Sequence, residues 1–183
     1  SAIELTESVD AGQRAVSVTL DGNLAAAETA LACIAMNDGV TGCAVRTAAG
    51  ARVESGDPRV VDSFDVLTGG RVTHGELRRH AESFFQANRF LVPDLVTAVL
   101  DSVTAGPVFD LYAGVGLFSI ALARAGLREI TAVEGDRMSG IDLQHNARSA
   151  ADSADAVGVV HDSVEHFLLA SFSRPGRPGT VIV

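Results

Sequence analysis

The sequence contains no lysine: all 14 basic residues are arginine, against 23 acidic residues, for a net charge of −9 over 183 residues. Without lysine, this chain cannot form a Schiff base through its own side chains or hold a phosphate through a Walker-type lysine. The acidic balance also argues against a large nucleic-acid footprint on this chain, because phosphate contacts need clustered basic side chains.

Cysteine and long apolar runs are equally scarce. Cys33 and Cys43 are too few for a disulfide framework and lack the spacing of metal ligands, so both are interpreted as buried small residues. The five histidines show no metal-type pairing with carboxylates, and no metal site is predicted. No apolar stretch reaches the roughly 18 residues of a membrane span, and no signal-peptide pattern is recognised. A cytoplasmic protein without membrane contact is expected.

Residues 1–80 are predicted to form a small α/β domain. The alternating, valine-rich segment 14–20 predicts a strand, and residues 23–37 predict a helix with an asparagine cap. Further strands are predicted over 40–48 and after the Gly-Asp-Pro turn at 56–58. This order of elements favours one layer of sheet covered by one helix.

Residues 81–183 alternate between strand and helix patterns. A first helix, with a predicted core stripe of Leu95, Val99 and Val103, is followed by four apolar strand segments separated by three helical ones. Such alternation predicts a parallel sheet with helices on both faces, which is the doubly wound, Rossmann-like α/β class. The last strand ends at Val183, and sheets of this class normally have more strands, so we expect the first part of a longer domain.

An acid and two glycines mark the end of the strand predicted over 107–112. Asp110 stands near the strand end, and Gly114 and Gly116 precede the next helix. Open α/β sheets bind ligands at this position, because glycine lets the backbone approach the ligand and the helix N-terminus offers free N–H groups. Dinucleotide sites prefer a third glycine three residues further on, where this sequence has Ser119.

Two further acids end the next two predicted strands. Glu134 stands in "AVEGD" and Asp162 in "VVHD". The carboxylate of Glu134 suits a pair of ribose hydroxyls, because it accepts two hydrogen bonds at once. Asp162 falls where a third strand end would reach an adenine amino group. Together with Asp110, these acids favour S-adenosylmethionine over a nicotinamide dinucleotide.

A second motif, "ESFFQANRFLVPDLVTAVL", stands about 25 residues before the glycine turn. Together with "DLYAGVGLFSIALA", "AVEGD" and the Asn146-Ala147 pair, it resembles the RNA uracil-5 methyltransferases, which make 5-methyluridine in transfer and ribosomal RNA. The resemblance is good from Glu82 to Asn146. It implies an S-adenosylmethionine cofactor, an RNA substrate, either rRNA or tRNA, and the class I methyltransferase fold; we also expect a monomer.

Seven residues are expected to bind the cofactor, Asp110 from its place at the strand end and the other six as the resemblance implies: Gln86, Asp110, Tyr112, Gly114, Gly116, Glu134 and Asp162. Gln86 would contact the cofactor near its reactive end, and Tyr112 would line the pocket. The two glycines would pass under the methionine part of the cofactor. Glu134 would hold the ribose, and Asp162 would contact the adenine side.

The reaction of that family needs a nucleophile that this chain is not expected to supply. A cysteine thiolate adds to carbon 6 of uracil, carbon 5 takes the methyl group, and a general base then removes the carbon-5 proton so that the cysteine leaves. Cys33 and Cys43 stand in unrelated sequence contexts. The catalytic cysteine and the base are expected beyond Val183, so the chain alone is expected to bind cofactor without methylating RNA.

Three alternatives stay open at this point. The chain is compatible with a methyltransferase for another RNA base or a small molecule, with a non-catalytic cofactor- or RNA-binding module, and with a nicotinamide-dependent reductase. Binding of S-adenosylhomocysteine rather than NADH would separate the reductase from the others.

Overall fold

The computed structural model describes residues 1–103, 105–150, 156–171 and 179–183. The chain divides into two compact units: Ser1–Asp62 with Arg78–Glu82, and Ser63–Leu77 with Ser83–Val183. Residues 63–77, which the sequence places in the first domain, therefore group with the second unit. A surface loop that the sequence predicts over 173–179 lies largely outside the described residues.

The first unit is built on a four-stranded sheet. Its strands, in spatial order, are β1 (Ala2–Glu7), β2 (Arg14–Leu20), β3 (Gly42–Thr47) and β4 (Arg52–Gly56). β2 and β3 run parallel, while β1 and β4 are antiparallel to their neighbours. The helix α1 (Leu24–Ala35) connects the parallel pair and begins at Asn23, whose side chain accepts the Ala26 N–H. One covering helix on one sheet agrees with the element order in the sequence.

Two features of this unit differ from the sequence-based expectations. Cys33 is exposed, whereas Cys43 is buried as expected. Cys33 follows the buried Ala27 by six positions, or about 240° around the helix, which places its side chain on the outer face of α1. The two edge strands, β1 and β4, were not predicted, and the apolar residues Ile3 and Leu5 of β1 are exposed.

Residues 63–77 contain a short helix between two paired strands, and their contacts explain why they belong to the second unit. The strands β5 (Arg59–Ser63) and β6 (Glu76–His80) pair with each other, and α2 (Phe64–Leu67) lies between them in the chain. The guanidinium carbon of Arg124 lies 5.2 Å from the centre of the Phe64 ring. Arg71 forms an ion pair with Asp101 at 2.6 Å. These contacts join Phe64 and Arg71 to helices of the second unit, to which both residues belong.

The helix α3 (Val92–Ser102) precedes the main sheet of the second unit. Its buried residues are Val92 and Val96, and Val103 directly after it is also buried. Leu95 is 39% exposed, so its predicted place in the core stripe was wrong, whereas Val103 is buried as predicted and Val99 is partly buried. Val96 follows Val92 by four positions and Val103 follows Val96 by seven, so the three lie on one helical face. Leu95 stands one position before Val96 and lies off that face.

Among the described residues, the second unit contains a parallel sheet of four strands. These are β7 (Val108–Leu111), β8 (Ile130–Glu134), β9 (Val157–His161) and β10 (Thr180–Ile182), in the spatial order β10-β7-β8-β9. Neighbouring strands are parallel throughout. The strand order reverses between β7 and β10, and this switch point is where open α/β sheets bind ligands.

Helices lie on both faces of this sheet. They are α4 (Leu117–Arg124), α5 (Arg137–Ser149) and α6 (Val164–Ser171). Asp110 of β7 contacts α4, whereas its neighbour Leu111 packs with Val164 of α6. Because successive strand residues point to opposite faces, α4 and α6 cover opposite sides of the sheet. The predicted doubly wound α/β class is confirmed.

Candidate functional site

The chain turns sharply between β7 and α4. Tyr112, Gly114 and Gly116 have positive φ angles of 62°, 57° and 91°. Glycine adopts such angles readily, whereas a tyrosine in this conformation is strained by about 1–2 kcal/mol. Strain of this kind persists where the surrounding structure enforces it, and it concentrates at ligand sites.

Side chains from the two neighbouring elements hold this turn. The Oε2 atom of Glu134 accepts the backbone N–H of Gly114 at 2.7 Å, and Oε1 accepts the N–H of Asp136 at 2.6 Å. The buried side-chain amide of Asn146 donates to the carbonyl of Val115 at 2.8 Å. Carboxylate and amide together fix the backbone before any ligand arrives.

The carboxylate of Asp110 is buried beside the turn. Its Oδ2 atom accepts the backbone N–H of Ser119 at 3.1 Å and the Ser119 hydroxyl at 2.5 Å. Burial raises the pKa of Asp110 to about 6, and repulsion from Glu134 adds to the rise, while the hydrogen bonds from Ser119 oppose it. Ser119 occupies the place of the third dinucleotide-loop glycine, and here its hydroxyl ties α4 to β7.

A cavity opens at the carboxyl end of β7, within the second unit. Its walls are residues 84–86, the 110–115 turn, the first turn of α4 and residues 182–183 at the end of β10. Its volume of about 230 Å³ lies a little below that of typical small-molecule sites, roughly 300–1,000 Å³. A cofactor-sized ligand bound here would therefore extend out of the cavity along the strand ends.

Four of the seven residues predicted to bind cofactor line this cavity: Gln86, Asp110, Tyr112 and Gly114. Gly116 is the N-cap of α4 at the edge of the turn. Glu134 is joined to the turn through the Gly114 N–H. The structure thus brings six of the predicted residues to the carboxyl ends of β7 and β8.

Asp162, the seventh residue, makes its contacts within its own segment after β9. Its Oδ1 atom accepts the Ser163 N–H at 2.8 Å, and Oδ2 lies 2.5 Å from Nδ1 of His166. The hydrogen bond with His166 is the largest of the effects that hold the pKa of Asp162 below its usual range. Asp162 is thus an ionised acceptor that is already engaged by one imidazole.

Two contacts at the site were not predicted from the sequence. The hydroxyl of Tyr112 donates to Oε1 of Glu165 at 3.1 Å. The buried hydroxyl of Ser83 donates to the buried carboxylate of Asp142 at 2.8 Å, directly before the segment that lines the cavity. The two residues of each pair are more than 50 positions apart in the chain, so no local sequence pattern predicts the contact.

The described part of the chain contains neither a cluster of metal ligands nor a helix that could span a membrane. Within those ranges, no three histidine, cysteine, aspartate or glutamate side chains come close enough to hold a metal ion. None of the helices there combines the length and the apolar character needed to span a bilayer.

Comparison with known proteins gives no match to a family model. A 23S rRNA (uracil(747)-C(5))-methyltransferase of Pyrococcus abyssi is 46% identical over 55 residues, which are 30% of this chain and 13% of that protein. A tRNA (uracil(54)-C(5))-methyltransferase of Pyrococcus horikoshii is 41% identical over 51 residues, which are 28% of this chain and 12% of that protein.

The fold has a counterpart of known structure. The crystal structure of the Pyrococcus abyssi tRNA (uracil-54, C5)-methyltransferase, in complex with S-adenosyl-L-homocysteine, matches 98% of this chain with a TM-score of 0.68 and 20% identity. The match covers 42% of that protein, so this chain spans less than half of its length. The resemblance predicted from the sequence is confirmed: the chain has the class I methyltransferase fold and is similar, over part of its length, to RNA uracil-C5 methyltransferases.

Proposed function

We propose that this chain binds S-adenosylmethionine and serves an enzyme that methylates carbon 5 of uridine in ribosomal or transfer RNA. One observation carries the proposal: at the switch point of the sheet, the turn that contains Gly114 and Gly116 is held by Glu134 beside an open cavity. The sequence similarity to uracil-C5 methyltransferases supports the choice of substrate.

Glu134 fits the role of ribose ligand. An ionised carboxylate offers about four acceptor positions on its two oxygens. The N–H groups of Gly114 and Asp136 use one position on each oxygen. Each oxygen therefore keeps a position for one of the two ribose hydroxyls, without giving up its hold on the backbone.

The cavity walls fit the remainder of the cofactor. Gln86 and Tyr112 supply polar groups, while Leu117 and Phe118 at the start of α4 supply apolar surface. Such a wall suits the uncharged carbon chain of a methionine group. The sulfonium of S-adenosylmethionine would supply the methyl group, and the side chains of this chain would bind and orient it.

Asp162 can contact the adenine side of the cofactor while it keeps its hydrogen bonds with Ser163 and His166. Its Oδ2 atom is engaged by His166, and an ionised oxygen keeps a further acceptor position for an amino group. We therefore retain Asp162 as the proposed adenine contact. We propose no catalytic nucleophile or base among the 183 residues.

The charge of the chain bears on the other expected properties. A net charge of −9 does not favour the binding of RNA phosphates. We therefore propose that this chain binds the methyl donor, and we assign RNA contacts to none of its residues. We also propose that the protein is a monomer and that it acts in the cytoplasm. Light scattering coupled to size-exclusion chromatography tests the monomer directly.

Calorimetric titration of the 183-residue chain tests donor binding. We expect S-adenosylhomocysteine to bind with one-to-one stoichiometry and NADH to give no saturable heat. Binding of NADH in place of S-adenosylhomocysteine would contradict the proposal and favour a reductase.

The choice of carbon 5 of uracil is tested by isotope release. RNA carrying tritium at carbon 5 of uridine is incubated with S-adenosylmethionine and the full-length natural protein. Because the methyl group replaces the hydrogen on carbon 5, we expect one tritium released into water for each methyl group incorporated. Methyl incorporation without tritium release would identify another RNA atom as the acceptor.

A further inference from the structure

Tyr112 takes an unusual direction for a residue that follows a strand. In an extended strand, Tyr112 would point to the same face as Asp110, toward α4. Its positive φ of 62° breaks that alternation, and its hydroxyl instead reaches Glu165 on α6, the helix that covers the opposite face. Tyr112 is 60% exposed and lines the cavity.

Glu165 is an acceptor with a fixed position. It stands in the first turn of α6, where carboxylates interact favourably with the helix N-terminus. A hydrogen bond from its own backbone N–H is the first cause that holds the pKa of Glu165 below its usual range, and the hydrogen bond from Tyr112 is the second. The acceptor is therefore ionised, and the hydrogen bond to it is charge-assisted.

We infer that Glu165 is a positioning residue of the cofactor site: it holds the ring of Tyr112 along the cavity wall and thereby raises the affinity for the cofactor. The inference rests on the proposed function and extends the site to α6. Without the hydrogen bond, an exposed tyrosine samples several rotamers, and the ligand must then order the ring as it binds.

Affinity measurements on four variants test the role of the pair. S-adenosylhomocysteine is titrated into the 183-residue chain and into Tyr112→Phe, Glu165→Ala, Glu165→Gln and the double variant Tyr112→Phe/Glu165→Ala. We expect Tyr112→Phe and Glu165→Ala each to weaken binding by about three- to tenfold, the range of one net hydrogen bond. The double variant should be no weaker than the singles, because both substitutions remove the same interaction.

Two comparisons separate positioning from a general effect on the fold or the charge. Glu165→Gln keeps an oxygen acceptor for the Tyr112 hydroxyl, so it should retain most of the affinity. Glu28→Ala removes an exposed carboxylate from α1 and should bind like the parent chain. The thermal unfolding midpoints of the ligand-free variants should match, because the pair lies at the surface. Equal affinity in the parent, Tyr112→Phe and Glu165→Ala would overturn the inference, as would additive losses in the double variant.

The sequence offers a second measurement that needs no ligand. Tyr112 is the only tyrosine, and the chain contains no tryptophan, so the ultraviolet absorbance of phenolate reports this residue alone. The hydrogen bond to Glu165 raises the pKa of Tyr112. We expect Glu165→Ala to lower the titration midpoint of the phenol relative to the parent chain. An unchanged midpoint would show that the two side chains do not interact, and would overturn the inference.

The two measurements show whether the role of Glu165 fails alone or whether the proposed cofactor binding fails as well. If the parent chain does not bind S-adenosylhomocysteine, the proposed function fails and the affinity role of Glu165 fails with it, whatever the phenol titration shows. If the parent chain binds and the variants bind equally well, the proposed function stands and the inference alone is overturned.

Discussion

Glu134, at the end of β8, accepts the backbone N–H of Gly114 in the turn after β7 at 2.7 Å. The same side chain that is proposed to hold the ribose thus also fixes the backbone beneath the ligand. The two roles reinforce each other, because an acceptor that is already held in place loses little freedom when the ligand binds.

Replacing Glu134 should therefore damage cofactor binding more than the loss of one contact would. We expect Glu134→Ala to weaken the binding of S-adenosylhomocysteine by about a hundredfold or more, since two hydrogen bonds to a charged group are lost and each contributes about 1.5–3 kcal/mol. Glu134→Gln keeps one acceptor oxygen and should lose less. Calorimetry measures both, with Glu28→Ala as the control for lost negative charge. Parent-like affinity in Glu134→Ala would remove Glu134 from the site.

Asp110 should make the stability of the protein depend on pH. Its pKa is raised from the ordinary 3.8 to about 6, chiefly by burial, so the folded chain binds this proton more tightly than the unfolded chain does. Protonated Asp110 therefore stabilises the fold at low pH. That contribution declines as the pH rises from about 4 to about 6 and stays constant above this range.

The variant Asp110→Asn isolates this effect from all other titrating groups. The amide carries no charge at any pH, so the free energy of unfolding of the parent, relative to the variant, should fall by roughly 2–3 kcal/mol between pH 4 and pH 7. Urea denaturation at a series of pH values measures the difference. A difference that does not change with pH would contradict the raised pKa.

Two glycines with similar φ angles should respond differently to alanine. Gly116 has a φ of 91°, and an added Cβ would lie 2.7 Å from Cδ1 of Leu143; Gly126 has a φ of 99° and open space around it. Gly126→Ala should lose about 1–2 kcal/mol of stability through the left-handed conformation alone. Gly116→Ala should lose roughly 2–4 kcal/mol, because overpacking is added. Equal losses would show that the turn and α5 are not packed closely.

The two cysteines should differ sharply in reactivity toward a thiol reagent. Cys33 is exposed on α1, whereas Cys43 is buried in β3, and burial raises the pKa of the Cys43 thiol. Since the thiolate is the reactive form, one thiol per chain should react rapidly in the native protein and the second only after unfolding. Mass spectrometry of the labelled chain identifies the modified residue. Rapid labelling of both would contradict the structure of the first unit.

Much of the second unit follows from local sequence signals. The turn at Gly114 and Gly116 was predictable because a positive φ selects glycine, and Glu134 because carboxylates at neighbouring strand ends of a parallel sheet lie on the same edge. The exact register of a helix is a weaker signal, since Leu95 and Val96 are both apolar and only packing decides which is buried.

Contacts between residues far apart in the chain could not be predicted from the sequence. Tyr112 and Glu165 meet because a strained backbone redirects one side chain and the crossover to β10 places α6 over β7. Cys33 was misplaced because a small apolar residue satisfies either face of a helix, and burial depends on where the sheet lies. Composition alone contains none of this information.

A crystal structure of the chain with S-adenosylhomocysteine would test the central claim most directly. The account predicts ligand density in the cavity along residues 112–116, with both ribose hydroxyls donating to the oxygens of Glu134. Density at another place on the chain, or a Glu134 carboxylate that makes no contact with the ribose, would contradict it.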